Sequence, residues 1–289
     1  MKIRDLILVL MMNFAWGFAI IPSKMAMMHF TPLTATLLRM CIVFLLFWPL
    51  LKWQPGRMRL IFIFGTLSGT IQFSLSNTAI MLADNMNAIA LCFQLGTPFS
   101  LLLAIFFLGE RIHINSLLGI IFAFAGVIII SFDPNIVNER IALLLAIISV
   151  FSYSCSAIVL RQLRGVNPLT LQAWLAAVSI PVLLVLSGIF ESENLLSLPQ
   201  VPLKHFSYIL AVTLLTSVAG NTILSYLLHN YPVTRVTPFA LLAPLISILA
   251  STVILQSDLT IQLALGGIIT MIGVGIIIMK DRTLKTNNY

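Results

Sequence analysis

Four carboxamide side chains stand within long apolar stretches of the chain: Asn13, Gln72, Gln94 and Asn221. A carboxamide offers two donor hydrogens and one acceptor oxygen, and hydrocarbon supplies a partner for neither. We therefore interpret these residues as contacts to a polar solute or to a water-filled cavity. Interhelical hydrogen bonds are the alternative interpretation.

Aromatic side chains share helix faces with polar residues. At 100° per residue, Trp16 falls on the same face as Asn13, and Tyr153 falls on a face with several serines. An aromatic wall would hold the body of a small solute while the carboxamides bind its polar ends. The predicted substrate cavity consists of Asn13, Trp16, Gln72, Gln94, Tyr153 and Asn221.

Two prolines and two cations complete the candidate site. Pro98 and Pro244 would each free a backbone carbonyl one turn earlier and kink a helix, which a membrane tolerates where the carbonyl lines a cavity. Lys24 and Arg39 are the basic residues nearest the membrane interior. Their charges either reach the interface or serve a gate or a substrate carboxylate, and Asp84 is a further candidate partner.

The apolar stretches lack the residue types that enzymes need. No Asp or Glu falls within them, there is no HExxH motif, and no nucleophile has a neighbouring base. Cys41, Cys92 and Cys155 lie singly in apolar surroundings, as small hydrophobic residues do. The sequence therefore predicts no enzymatic activity, no metal and no cofactor. It also argues against a proton relay through a buried carboxylate.

The elements that position these residues are transmembrane helices. Hydrophobic residues make up 60% of the 289 residues and charged residues 9%, against about 25% charged in soluble domains. Apolar windows long enough to cross about 30 Å of hydrocarbon predict an all-α polytopic membrane protein with ten transmembrane helices. The predicted spans are 6–28, 33–51, 60–82, 87–108, 115–132, 141–160, 168–190, 206–228, 234–255 and 261–279.

Basic residues in the short loops predict the orientation. With the N-terminus in the cytoplasm, twelve Lys and Arg residues lie inside and three outside, as the positive-inside rule requires. The net charge of +7 therefore reflects topology and not a nucleic-acid partner. We expect a multi-pass protein of the bacterial inner membrane with both termini cytoplasmic. It would be a monomer or homodimer whose partners are the lipid bilayer and a small-molecule substrate.

The second half of the chain repeats the first. Pro98 corresponds to Pro244 at a separation of 146 residues, and Gly119 corresponds to Gly266 at 147. Because each half has five spans, an odd number, the halves must be inverted relative to one another, as in many secondary transporters. The predicted units are a first repeat at 1–135, a second repeat at 136–282 and a short cytoplasmic tail at 283–289.

A series of short motifs runs along the chain in a fixed order. They are Trp16-Gly17 followed by Lys24, Arg39, QFSL at 72–75, GER at 109–111, Tyr231-Pro232 and RVTPFALLAP at 235–244. Together they resemble the EamA family of the drug/metabolite transporter superfamily, nearest the O-acetylserine/cysteine exporter branch. One departure is Leu255-Gln256-Ser257, the second-half counterpart of GER, which lacks the acidic residue of many members.

The resemblance implies a fold of five plus five spans that moves small metabolites by alternating access. The central cavity would be lined by spans one, three, four, six, eight and nine. We expect a secondary transporter for an amino acid or amino-acid derivative, working in export. The alternatives are an importer or exchanger of another metabolite, a multidrug efflux protein, a membrane-embedded enzyme and a channel.

Overall fold

The computed structural model describes residues 3–108, 114–133, 139–230 and 242–286, and in these ranges the chain is helical with no strand. Among the described residues, seven helices are long and apolar enough to cross a membrane. Three shorter apolar helices stand where the predicted spans five, nine and ten belong. The described chain thus has the ten helical spans of the predicted all-α polytopic fold.

The first half forms spans one to five. Their bounds are Ile3–Phe18 with Ile20–Met27, Pro32–Phe47, Met58–Leu82, Met86–Cys92 with Phe93–Leu95 and Gly96–Leu108, and Ile114–Ser131. We call the membrane face at which span one begins the proximal face, and the opposite face the distal face.

The second half forms spans six to ten, with one short helix between spans seven and eight. The bounds of these spans are Arg140–Gln162, Pro168–Phe190, Leu203–Val212 with Thr213–Gly220 and Asn221–Asn230, Leu242–Ile254, and Ile261–Thr286. The short helix is Ser192–Ser197.

Spans three and eight each contain an eight-residue π-helical segment, Gly65–Gln72 and Thr213–Gly220. The segments lie 148 residues apart at equivalent positions of the two halves, so the sequence repeat extends to local backbone geometry. π-Helical turns are rare and are frequent at functional sites. Because the wider turn re-aims the side chains that follow, these spans depart from the 100° spacing used for the predicted faces.

Spans five and ten form a close-packed pair. A β-carbon on Gly119 would lie 2.7 Å from the carbonyl oxygen of Gly273, and one on Gly266 would lie 2.6 Å from that of Gly126. Residue numbers rise along one helix as they fall along the other, so the helices are antiparallel. Since these are equivalent spans of the two repeats, the halves are inverted relative to one another.

Spans two and seven pair in the same antiparallel way. The hydroxyl oxygens of Thr34 and Ser187 lie 2.9 Å apart. Glu191, at the end of span seven, accepts hydrogen bonds from the backbone N–H groups of Leu33 (3.0 Å) and Thr34 (2.8 Å). A carboxylate there satisfies donors that lack an intrahelical partner and complements the helix dipole. Glu191 therefore caps span two from the opposite half of the chain.

Candidate substrate site

Spans one and eight bring an aromatic ring and two carboxamides together. Trp16 packs against Gly220, where a β-carbon would overlap the indole nitrogen, and the half-buried Asn221 follows directly. Asn13, one turn before Trp16, is fully buried, and its Nδ2 donates to the Val9 carbonyl at 2.8 Å. Its Oδ1 has no hydrogen-bond partner in the described chain. A buried unsatisfied oxygen costs about 1–3 kcal/mol, so this group is suited to a ligand donor.

Spans four and six bring the second aromatic ring to a third carboxamide. Tyr153 of span six exposes 50% of its surface. The Tyr153 ring lies beside Gly96. Gln94 is half-buried in the 3-10 turn Phe93–Leu95, which directly precedes Gly96. Tyr153 and Gln94, both predicted cavity residues, therefore lie close to Gly96 of span four.

Gln72 ends the π-helical segment of span three and is half-buried. Ser68, one turn earlier, donates to its Oε1 at 3.4 Å. The glycines on this helix, Gly65 and Gly69, pack instead against Val178 and Ser179 of span seven. These small residues form a helix-packing seam, and the wide π turn separates Gln72 from it.

Lys24 donates hydrogen bonds to the end of a helix and forms no ion pair with any residue that the structure describes. Its Nζ donates to the carbonyl oxygens of Ile80, at 3.1 Å, and Ala83, at the distal end of span three. The last carbonyls of a helix lack intrahelical donors and carry the negative end of the dipole. Within the described ranges Lys24 makes no salt bridge to Asp84.

Arg39 is buried between spans two, three and eight, with 7% of its surface exposed. Its Nη2 donates to Thr216 Oγ1 at 2.7 Å and to Ser217 Oγ at 3.2 Å, both in the π-helical segment of span eight. The guanidinium carbon lies 3.9 Å from the centroid of the Phe73 ring, a cation–π contact. Arg39 therefore points into the protein and does not reach the membrane interface.

The two prolines stand in the first turns of their helices. Pro98 follows the 3-10 turn Phe93–Leu95, so span four is interrupted one turn before the proline. Proline removes the N–H that would bond to the Gln94 carbonyl, which accounts for the interruption. Pro244 is buried near the start of Leu242–Ile254, and the turn before it lies outside the described residues. The kink at Pro244 stays a prediction.

A hydrogen-bonded cluster on the distal face escaped the sequence interpretation. Both carboxylate oxygens of Glu139 accept from the backbone N–H of Asn85 at 3.1 Å. Asn87 donates to Thr252 at 2.9 Å, and its Oδ1 accepts from the hydroxyl of Ser251. We call Asn85, Asn87, Glu139 and Ser251 the distal latch, because they join spans four, six and nine. The Asn-x-Asn pattern at a span boundary was its only sequence signal.

A buried carboxylate lies in the first turn of span one, one residue before the predicted start of that span at residue 6. Asp5 is 2% exposed, belongs to the helix Ile3–Phe18, lies 3.4 Å from Arg4 Nε and accepts from the Tyr226 hydroxyl at 3.3 Å. The prediction that no acidic residue enters a span is therefore wrong.

Three stretches that carry family motifs, 109–111, 231–232 and 235–241, lie outside the described residues.

The family follows from comparison with known proteins. Residues 4–132 and 140–279 each match the EamA-like transporter family. The chain belongs to this family. It is therefore a multi-pass membrane transporter for a small molecule, and not an enzyme, as the motifs predicted.

Relatives match the EamA chain along almost its whole length. A "Probable amino-acid metabolite efflux pump" of Escherichia coli strain K12 is 25% identical over 99% of this chain and 98% of its own. An "Uncharacterized transporter" of Archaeoglobus fulgidus is 25% identical over 92% and 95%, respectively. A solved crystal structure, 15% identical, shares the fold with a TM-score of 0.64 over 99% of this chain and 100% of that chain. The O-acetylserine/cysteine branch stays a prediction.

Proposed function

We propose that the protein exports an amino acid or amino-acid derivative across the bacterial inner membrane by alternating access. The observation that carries this proposal is the unsatisfied Oδ1 of buried Asn13, one turn from the Trp16 ring. A solute ammonium or hydroxyl group would donate to that oxygen, and the indole would cover the solute's carbon skeleton. The name of the Escherichia coli relative, an amino-acid metabolite efflux pump, supports this substrate class.

The internal repeat indicates which residues line the other side of the proposed cavity. Trp16 corresponds to Tyr153 and Gly220 corresponds to Gln72, at separations of 137 and 148 residues. The contact between Trp16 and Gly220 therefore implies that Tyr153 faces Gln72. The hydroxyl of Ser152 donates to a carbonyl of span three at 2.8 Å, which supports this proximity. The proposed cavity residues are Asn13, Trp16, Gln72, Gln94, Tyr153 and Asn221.

The distal latch is the proposed outer gate. The excess of basic residues in the loops on one side supports a cytoplasmic location for the proximal face and both termini. Release to the opposite side would require spans four, six and nine to separate where Asn85, Asn87 and Glu139 hold them. Lys24 adds a gate charge, because it ties the distal end of span one to span three. Alternating access would break these contacts and close the proximal face in turn.

Counterflow in proteoliposomes tests this function. Purified protein is reconstituted into liposomes loaded with the twenty unlabelled amino acids and O-acetyl-L-serine, and uptake of each labelled compound is compared with protein-free liposomes. We expect exchange of at least one compound, recovered chemically unchanged. Loss of an ion gradient without exchange, or exchange of none of these compounds, would overturn the proposed substrate class.

A further inference from the structure

Arg39 is a buried cation that no described residue neutralises. A guanidinium has five N–H donors. Here Nη2 donates to two hydroxyl oxygens of span eight. Within the described chain Nη1 makes no hydrogen bond, and the buried Nε has no acceptor. No carboxylate lies within ion-pair distance in the described ranges. A charge buried in this way is costly unless an anion accompanies it.

We propose that Arg39 binds the carboxylate of the transported solute, in a subsite formed by spans two, three and eight. The proposal rests on the proposed export function and adds the substrate class: a solute with a free carboxylate group. A planar guanidinium matches a carboxylate through two parallel N–H···O bonds. The Phe73 ring covers one face of the guanidinium, so a carboxylate would bind along its edge, at Nη2 together with Nε or Nη1, in place of the two hydroxyls.

Arg39 is a better candidate than Lys24 for binding the solute carboxylate. The ammonium group of Lys24 already donates to two carbonyl groups at the end of span three. The guanidinium of Arg39, by contrast, keeps donors on Nε and Nη1 without acceptors in the described chain. A solute whose carboxyl group is converted to an amide cannot neutralise this charge. The subsite therefore discriminates against amides and esters of the same solute.

The position of the subsite links carboxylate binding to the movement of the two halves. Thr216 and Ser217 belong to the π-helical segment of span eight, and Phe73 directly follows the corresponding segment of span three. A carboxylate that replaces the hydroxyls as acceptor weakens the tie between span two and span eight. Binding then favours whichever arrangement of the halves keeps the carboxylate enclosed.

Competition between acids and amides tests the subsite. The probe is a ¹⁴C-labelled mixture of the twenty amino acids in counterflow, competed by the unlabelled amino acids or by their carboxamides at equal concentration. We expect the acids, and not the amides, to inhibit exchange by the wild-type protein. Arg39→Gln should raise the half-inhibitory concentration of the acids at least about 30-fold. Arg39→Lys, which keeps the charge, should restore part of the inhibition.

A matched variant separates carboxylate binding from a purely structural role. Thr216→Val combined with Ser217→Ala removes the tie to span eight and leaves the guanidinium in place. We expect this double variant to keep the preference for acids over amides, even if its exchange is slower. If it loses that preference as completely as Arg39→Gln does, Arg39 acts as a tether and the proposal is overturned.

A binding measurement tests the Arg39 subsite even if the protein exchanges none of these amino acids. The apparent unfolding temperature of the purified protein is measured in sodium acetate and in sodium chloride at the same ionic strength. A third sample contains the sodium chloride with added acetamide, the uncharged analogue of acetate. Stabilisation by acetate in the wild type, absent in Arg39→Gln, supports the subsite; an absence of exchange would then overturn only the proposed function. Equal effects of acetate and chloride on the wild type would overturn the subsite.

Discussion

Lys24 and Arg39 carry the same charge, and their surroundings assign them different roles. The ammonium of Lys24 donates to backbone carbonyls that close the end of span three. The guanidinium of Arg39 has two hydroxyls and an aromatic ring around it, and its buried Nε has no partner among the described residues. Because a compact ammonium suits a helix terminus and a planar guanidinium suits a carboxylate, the two residues are not interchangeable.

Single substitutions in the proposed cavity should reduce transport without reducing membrane abundance. We expect Gln72→Ala and Asn221→Ala to weaken solute binding roughly 10- to 100-fold, because a hydrogen bond to a charged ligand group contributes about 1.5–3 kcal/mol. Trp16→Ala should be more severe, because it removes the aromatic wall at Gly220 as well. The measurement is the initial transport rate per unit of protein in the membrane.

A lipid-facing residue provides the control for these substitutions. Ile121 of span five is 55% exposed, so Ile121→Ala should leave the transport rate unchanged. Wild-type rates in the Trp16, Gln72 and Asn221 variants at subsaturating substrate would show that these residues are packing contacts and that the site lies elsewhere.

Among the elements, the pairing of spans five and ten depends on close backbone approach. A β-carbon on Gly273 would lie 2.5 Å from the Gly119 carbonyl oxygen and from the Ala123 nitrogen, both backbone atoms that cannot turn away. We expect Gly273→Leu to destabilise the protein by about 1–3 kcal/mol or more through overpacking. The measurement is the yield of monodisperse protein and its unfolding temperature.

Gly188 of span seven is the matched control for this substitution. No atom of the described chain lies within 4 Å of a β-carbon there, so Gly188→Ala should be neutral or slightly stabilising. A stable Gly273→Leu protein that still transports would show that spans five and ten can separate without loss of the fold.

The distal latch should respond to pH through Glu139. Burial raises the pKa of this carboxyl, and the nearby Asp84 adds to the effect, whereas the Asn85 N–H and Lys24 favour the charged form. A raised folded-state pKa means that the folded protein gains stability relative to the unfolded chain as the pH falls from neutral into the acidic range. The difference in unfolding temperature between wild type and Glu139→Gln should therefore shift in favour of the wild type on acidification.

The opposite sign would contradict this account of Glu139. If the wild type loses stability relative to Glu139→Gln as pH falls, the charged hydrogen bonds to Asn85 outweigh burial. Asp133→Asn is a control on the same face, because it changes a carboxylate outside the latch.

For the whole molecule, alternating access requires that the distal latch open and the pairing of spans five and ten stay closed. Asn87 and Ser251 touch through their side chains, on spans four and nine. In a cysteine-free background, a disulfide between Asn87→Cys and Ser251→Cys should block exchange, and reduction should restore it. The measurement is counterflow before and after reductant.

A second crosslink tests whether the block is specific. Asp133 and Thr260 also touch through their side chains, at the distal ends of spans five and ten. A disulfide between cysteines at these positions should leave exchange largely intact. Exchange by the Asn87–Ser251 crosslinked protein at the wild-type rate would contradict opening at the distal latch.

The orientation of the whole molecule can be tested with fusions. Alkaline phosphatase fused after Tyr289 should be inactive, because the twelve-to-three distribution of basic residues predicts that this end is cytoplasmic. The same enzyme fused after residue 135, between spans five and six, should be active. High activity of the Tyr289 fusion would contradict both the orientation and an odd number of spans per half.

The sequence by itself determined the class of fold. Hydrocarbon offers no hydrogen-bond partners, so a chain with ten long apolar windows must cross it as helices, and window length sets the number of crossings. The separation of Pro98 from Pro244 identified the repeat. The odd number of spans per half then required the inversion that the antiparallel contact of Gly119 with Gly273 displays.

Only the tertiary structure decided which polar groups meet. Periodicity places a residue on a helix face, but two π-helical segments re-aim the faces of spans three and eight. Partners such as Arg39 with Thr216, or Asn85 with Glu139, lie far apart in the chain and meet only through packing. Asp5 was missed because hydropathy records apolar content, and one buried carboxylate at a helix start barely changes it. Hydrogen bonds depend on distances below 3.5 Å, which only the assembled spans determine.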